Sequence, residues 1–179
     1  KLLTMYHGTS SGGHTVFDPW GAKVGLFGQG SYFTDNKSVA ESYTEKGRGN
    51  NKQIYEVYLN ITNPIDMDAQ GDVQEWTKAL SSYGSDIGSY LESGTNEQIY
   101  RSALEYFAED GTFDKYERAE IMAEAFEKMG YDGITHIGGG RFNKKDDTRH
   151  RVYISLESSQ IKTIDNTNPT SSSDIRELL

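Results

Sequence analysis

The first residue of this chain that can do chemistry is a histidine at the end of a strand-like run. The run covers residues 2–6, and His7 is followed by Gly8, Thr9 and a flexible turn rich in hydroxyl groups. An imidazole can hydrogen-bond a ligand hydroxyl, and a glycine without a Cβ lets a ligand approach the backbone. Because a lone histidine at a strand end is usually structural, the rest of the chain must decide its role.

The sequence offers little support for metal or thiol chemistry. It contains no cysteine, which excludes disulfides, thiol nucleophiles and thiolate metal sites. The four histidines are scattered, with no His-x-x-x-His pair that a helix would turn toward one ion. We therefore expect no metal site. The absence of cysteine fits a reducing compartment, so we also expect a cytoplasmic protein.

Length and charge bound the class of protein. A chain of 179 residues with 35% apolar content suits a single globular domain with a substantial core. Its 18 basic and 27 acidic residues give a net charge of −9, which argues against tight non-specific binding to a nucleic-acid backbone. No apolar run is long enough to span a membrane. We expect a monomer that does not bind membranes. A chain that begins with Lys1 rather than Met is compatible with a segment of a longer polyprotein and equally with a tagged protein.

The elements that must position the candidate residues are strands at both ends of the chain and helices in the middle. Alternating or short apolar runs predict strands near residues 2–6, 31–34, 53–61, 134–137, 152–156 and 161–164. Helical spacing predicts helices near residues 38–44, 76–83, 100–107 and 117–129. Strands that flank a helical block indicate an α+β fold with a mostly antiparallel sheet.

Local signals mark the ends of several helices, and two segments are predicted to lack regular structure. Ser38-x-x-Glu41 and Thr95-x-x-Gln98 match the capping box that opens a helix, and Gly130 is placed to take a left-handed cap. A glycine-containing loop over residues 14–31 is typical of loops that lie over a ligand. The polar residues 166–179 predict a surface arm or linker.

Three phrases of the sequence occur in a specific order. Residues 6–9 read Tyr-His-Gly-Thr, residues 28–33 read Gly-x-Gly-x-Tyr-Phe, and Tyr43 follows Tyr32 by eleven positions. This order resembles the nicotinamide-dinucleotide pocket of ADP-ribosyltransferases of the diphtheria-toxin and poly(ADP-ribose) polymerase branch. Further phrases, at residues 58–64, 129–134 and 160–162, resemble the ADP-ribosyltransferase-like domains of phage and mobile-element polyvalent proteins.

The resemblance implies an ADP-ribosyltransferase-like fold, an α+β domain built on a mostly antiparallel, split β-sheet. It covers residues 2–64 and 129–176, so we predict that residues 70–128 are a helical insertion. On this interpretation residues 1–165 form one domain and residues 166–179 a polar C-terminal tail. The resemblance also implies NAD⁺ as the co-substrate.

The same resemblance implies roles for individual residues. Tyr32 and Tyr43 are expected to stack on the two faces of the cationic nicotinamide ring, worth about 1–2 kcal/mol together. His7 is expected to hydrogen-bond a ribose hydroxyl. The other residues expected to contact the dinucleotide are Gly8, Thr9, Phe27, Gly28, Gly30, Phe33 and Ala40, the last where polymerases usually carry a serine. The loop 17–28 is expected to cover the adenosine.

One departure from the family pattern concerns catalysis. In the family, a glutamate opens the strand before the Gln-Ile phrase and stabilises the oxocarbenium-like state formed as the nicotinamide–ribose bond breaks. The matching position here is Val152, which can neither stabilise charge nor polarise a hydroxyl. The catalytic positions are therefore expected to be His7, Tyr32, Val152 and His150.

Several groups are open as replacements for the missing acid. His150 lies two positions before Val152, on the same face of the strand. Glu56 and Glu157 are further candidates, although each fits a solvated surface acid better. A target protein can also bring its own carboxylate.

Three functions are compatible with these observations. The first is a mono-ADP-ribosyltransferase that uses NAD⁺ to modify a macromolecular acceptor, expected to be a host protein. The second is a catalytically inactive module of the same fold that binds NAD⁺, ADP-ribose or another protein. The third, a nuclease or RNA-modifying toxin, is disfavoured by the acidic charge balance and the lack of a convincing His–Glu or His–Lys pair.

Overall fold

The computed structural model describes residues 3–20, 24–109, 111–139, 148–166 and 170–176. Within them the strands are β1 (Leu3–Thr9), β2 (Ser31–Thr34), β3 (Gln53–Leu59), β4 (Pro64–Asp66), β5 (Gly133–Gly138), β6 (His150–Ser155) and β7 (Ile161–Thr163). The α-helices are α1 (Lys37–Lys46), α2 (Val73–Leu80), α3 (Asn96–Ala108) and α4 (Lys115–Lys128).

The strands form one sheet that is nearly divided in two. Their order is β4-β5-β6-β2-β1-β3-β7, and every neighbouring pair is antiparallel except β4 and β5. β1 pairs with β3 along its whole length but with β2 only at Tyr6 opposite Thr34. The sheet therefore opens beyond this pair, and the predicted α+β fold with a mostly antiparallel, split sheet is confirmed.

Two apolar cores lie on the two halves of the sheet. The alternation predicted for residues 53–61 is confirmed, and it contributes Tyr55, Val57, Leu59 and Ile61 to the smaller core. The other members of that core are Met5, Phe17, Phe33, Ile161 and Ile175. Helices α2, α3 and α4 cover the other half, where Trp76, Tyr100 and Phe126 are fully buried. That larger core also contains Val152 and Ile154 of β6, so the helices support the strand that carries the candidate catalytic positions.

The helix signals in the sequence are partly right. The capping box of Thr95 and Gln98 is present, and Gly130 has the left-handed φ of 84°. The box predicted at Ser38 is wrong, because α1 begins earlier. Asn36 caps it instead, its side-chain oxygen accepting hydrogen bonds from the backbone N–H of Ser38 and Val39 at 3.0 and 3.3 Å.

Two strand predictions also differ from the structure. The first strand does not stop before His7 but continues to Thr9, because β3 pairs with these residues. Strand β4 is not among the strands that the sequence predicts. Its three residues pair in parallel with β5, Ile65 opposite Ile134, which is a contact between segments distant in sequence.

The C-terminal segment is held against the domain. Ile175 is buried in the smaller core, and its backbone N–H donates a hydrogen bond to the carbonyl of Thr15 at 2.9 Å. The buried ammonium of Lys162 donates to the carbonyls of Ser172 and Asp174. The interpretation of residues 166–179 as a surface arm is therefore wrong for residues 170–176, because one apolar side chain anchors an otherwise polar segment.

No helix in the described part of the chain has the length and apolar character to cross a membrane.

Candidate functional site

A cleft of about 800 Å³ opens where the two halves of the sheet separate. It is lined by β1, β2, α1, β5, β6 and the loop that joins β1 to β2. Its volume lies in the range of small-molecule sites, about 300–1,000 Å³. The cleft is thus large enough for an extended ligand that reaches from one half of the sheet to the other.

His7 links the two halves at the opening. Its Nδ1 lies 2.8 Å from the carbonyl oxygen of Tyr32. Because a carbonyl oxygen only accepts, Nδ1 carries the proton in the neutral ring and Nε2 is left as an acceptor. The ring packs against Phe17 and Phe33, with centroids 5.2 and 5.5 Å away, and burial lowers the pKa of His7. His7 is therefore a neutral, oriented imidazole that can accept a hydrogen bond from a ligand hydroxyl.

Tyr32 lines the cleft and also holds the loop above it. Its hydroxyl donates to the carbonyl of Gly28 and accepts from the N–H of Phe27, both at 3.1 Å. Burial raises the pKa of Tyr32 to about 12, so the phenol stays protonated. The backbone of Gly25 packs on the hydroxyl end of the ring, where a Cβ would lie 2.6 Å from Cζ. Tyr32 also packs against the larger core, so part of its ring surface lines the cleft.

Helix α1 forms another wall of the cleft. Tyr43 lines it with about half of its surface exposed, and the ammonium of Lys46 lies 4.6 Å from the Tyr43 ring centroid. Gly8 lies beneath this helix, where a Cβ would collide with the carbonyl oxygen of Ala40. Gly8 is therefore needed first for the packing of α1, and this packing brings Tyr43 to the cleft.

The floor of the cleft is made by β5 and β6. Their register pairs His136 with Val152 and Gly138 with His150, which places these positions on one face. The His150 ring lies over Gly138, where a Cβ would approach it to 2.5 Å, and its buried Nδ1 has no hydrogen-bond partner among the described residues. Val152 is 9% exposed. Residues 140–147, which join the two strands, lie outside the described residues.

A family model described as ADP-ribosyltransferase in polyvalent proteins matches residues 1–171. The chain belongs to this family. No curated protein and no solved structure matches the chain significantly. The family match also spans residues 70–128, and their interpretation as an insertion stays a prediction.

Most residues that the resemblance to ADP-ribosyltransferases singled out line the cleft, and three do not. Those in the lining are His7, Gly8, Gly30, Tyr32, Phe33, Ala40, Tyr43, His150 and Val152. Thr9 faces Ser11, whose N–H donates to its hydroxyl. Phe27 is buried against Tyr100 and His136. Gly28 also lies beside Tyr100 and is outside the lining, so both residues act in holding the loop.

The carboxylates proposed as replacements for the family's glutamate are not in the cleft. Neither Glu56 nor Glu157 belongs to its lining, and among the described lining residues Asp18 carries the one carboxylate. Asp18 is exposed and accepts a hydrogen bond from the N–H of Trp20 at 2.9 Å. Val152 is therefore not compensated by an acid on the described floor.

His136 is a floor residue that the sequence did not single out. It is buried opposite Val152, with its ring 4.8 Å from that of Phe27. Only the pairing of β5 with β6 brings it beside His150 and Val152, and the four scattered histidines gave no sign of this pairing. No group of three or more metal-ligating side chains is placed to hold an ion in the described ranges.

Proposed function

We propose that the protein is a mono-ADP-ribosyltransferase. It binds NAD⁺ in the cleft, breaks the nicotinamide–ribose bond and transfers one ADP-ribose to a macromolecular acceptor, a host protein. Membership in an ADP-ribosyltransferase family supports the reaction class. The observation that carries the proposal is the hydrogen bond that holds His7 beside Tyr32 at the opening of the split sheet.

The side chains of the cleft fit the parts of NAD⁺. Tyr32 and Tyr43 offer aromatic surface to the cationic nicotinamide. The neutral His7 offers Nε2 to a ribose hydroxyl. Lys46 is the one lysine or arginine among the described lining residues, and its ammonium suits the negatively charged diphosphate.

In the reaction, the bond between the ribose C1′ and the nicotinamide nitrogen breaks, and its electron pair leaves with neutral nicotinamide. An acceptor oxygen, nitrogen or sulfur then bonds to C1′ and loses its proton. His150 is our assignment for the group that takes this proton, because it lines the cleft on the same face of β6 as Val152. Val152 cannot polarise a ribose hydroxyl as an acceptor, which favours transfer of one ADP-ribose over chain elongation.

The test is incubation of the protein with adenine-labelled NAD⁺ and host lysate. The readouts are nicotinamide release and label bound to macromolecules. Tyr43→Ala is expected to lower the rate about tenfold through lost stacking. Tyr90→Ala is the matched control, because both tyrosines are 52% exposed and Tyr90 lies outside the cleft. Absence of both nicotinamide and label with the wild-type protein would refute the transferase.

Val152 and Ala40 favour a second candidate, a binding module without turnover. Both positions lack the polar side chain that the family resemblance leads us to expect, and the described floor holds no carboxylate. Calorimetric titration with NAD⁺ separates the two functions. Heat of binding without nicotinamide release supports the module, and nicotinamide release excludes it.

A further inference from the structure

A second groove, of about 840 Å³, borders the same loop as the cleft. It is lined by α4, by Trp20 and Gln29 of the loop, and by residues near 131 and 157. Asp18, two residues before Trp20, and Gly30, which follows Gln29, line the cleft. We call this second feature the acidic groove, because of the charges described next.

The groove is strongly acidic. Its described lining contains no lysine or arginine, and its acidic residues are Glu117, Glu120, Glu124, Glu127, Asp132 and Glu157. Of these, Glu117 accepts a hydrogen bond from the N–H of Asp114, and Asp132 accepts from Thr62 and Asn63. The four glutamates of α4 recur at intervals of three or four residues, so they lie along one face of the helix. Glu120, Glu124 and Glu127 take part in none of the ion pairs of the described residues. Like charges at this spacing repel one another and lower the stability of the helix, and a bound cation would relieve this repulsion.

Exposed aromatic surface accompanies these charges. Trp20 is 53% exposed and lines the groove with Tyr83, Phe113 and Tyr131. An indole face next to carboxylates is a favourable place for a guanidinium, which can stack on the ring and pair with the acids. Tryptophan is also frequent among the residues that dominate protein interfaces.

A further observation about the groove, independent of its charges, is a buried side-chain oxygen that has no hydrogen-bond donor among the described residues. Gln29 lines the groove and is only 5% exposed. Its side-chain oxygen is buried and accepts no hydrogen bond from the described residues. Buried carbonyl oxygens nearly always have a donor, so a ligand that brings an N–H group to this wall of the groove would satisfy an acceptor that the described residues leave unmet.

We propose that the acidic groove binds an arginine-containing, net basic segment of a protein. The carboxylates of α4 pair with the guanidinium groups, Trp20 stacks on one of them, and Gln29 accepts a hydrogen bond. A nucleic acid would instead bring its phosphates against the acids. In taking this segment to be part of the acceptor, the inference rests on the proposed transferase function, because the shared loop places the groove beside the NAD⁺ cleft.

Fluorescence anisotropy without NAD⁺ tests the groove itself. The probe is a labelled peptide of alternating arginine and glycine, and its control is the same peptide with citrulline, the neutral isostere of arginine. The double variant Glu120→Gln with Glu124→Gln is expected to bind the arginine peptide roughly fivefold to tenfold more weakly. The matched control, Glu105→Gln with Glu109→Gln, removes the same charge from exposed positions outside the groove and is expected to bind as the wild type does.

Trp20→Ala gives a second test that leaves the net charge unchanged. It is expected to lower the affinity for the arginine peptide and to leave any residual affinity for the citrulline peptide unchanged. Equal affinity for the two peptides, equal losses in both double variants, or displacement of the peptide by a single-stranded RNA would overturn the proposal. If the protein binds the peptide but releases no nicotinamide, the transferase is refuted and the peptide-binding groove stands. If it releases nicotinamide but does not bind the peptide, the groove is refuted and the transferase stands.

Discussion

Gly8 shows how one residue controls both packing and the site. A Cβ at this position would meet the backbone oxygen of Ala40, so α1 can approach β1 only over a glycine. We predict that Gly8→Ala lowers the free energy of unfolding by about 1–3 kcal/mol, measured by urea denaturation. Thr4→Ala, an exposed change on the same strand, is expected to stay within about 0.5 kcal/mol. Similar stability of Gly8→Ala and the wild type would show that α1 does not pack as described.

His7 makes a prediction about pH. Burial lowers its pKa below the ordinary value of 6.5, so the unfolded chain binds this proton more readily than the folded protein. The stability that His7 contributes is therefore complete above about pH 6.5 and is lost as the pH falls below it. We expect His7→Asn, which keeps an N–H donor for Tyr32, to flatten this loss between about pH 7 and pH 5. Parallel stability profiles for the two proteins, measured by urea unfolding, would contradict a neutral buried His7.

Residue types and spacing were enough to predict most of the cleft, including Val152 and His150 on its floor, but not His136 beside them. His7, Tyr32 and Tyr43 belong to a motif with fixed spacing, so they were found. Phe27 and Gly28 belong to the same motif, yet the loop turns them toward Tyr100. His136 depends on the register between β5 and β6, and a sequence pattern does not contain that pairing.

At the scale of elements, the C-terminal segment fastens the loop that covers the cleft. The backbone N–H of Ile175 donates a hydrogen bond to the carbonyl of Thr15. Asp174 forms an isolated β-bridge with Val16, which lines the cleft. We predict that Ile175→Ala lowers the free energy of unfolding by about 2–5 kcal/mol. It should also speed amide hydrogen exchange in residues 14–18, because their anchor is weakened.

Ser173→Ala is the control for that change, since Ser173 is exposed in the same segment. It is expected to leave both the stability and the exchange rates unchanged. Unaltered exchange in residues 14–18 of Ile175→Ala would mean that the loop is held by other contacts.

Elements with strong local signals were predicted well. The alternation in residues 53–61 and the box at Thr95 specify a strand and a helix start without help from distant residues. β4 and the docked segment 170–176 were missed because each depends on a partner elsewhere in the chain. Short polar or proline-containing segments carry little information of their own about such partners.

At the scale of the whole molecule, the helices and one half of the sheet share a core. Trp76 of α2 lies in the same core as Ile134 and Ile154 of the sheet. In a Trp20→Phe background, Trp76 is the one remaining tryptophan. We predict that its fluorescence and the far-ultraviolet circular dichroism report the same urea midpoint. An earlier fluorescence transition would show that residues 70–128 unfold as a separate unit.

The division of the sheet gives the molecule its central feature, a cleft in which His7, Tyr32 and Tyr43 converge. The most direct test is a crystal structure with a non-hydrolysable NAD⁺ analogue. The account predicts the nicotinamide against Tyr32 and Tyr43, and a ribose hydroxyl within hydrogen-bond distance of His7 Nε2. An analogue bound elsewhere, or with its nicotinamide away from both tyrosines, would contradict it.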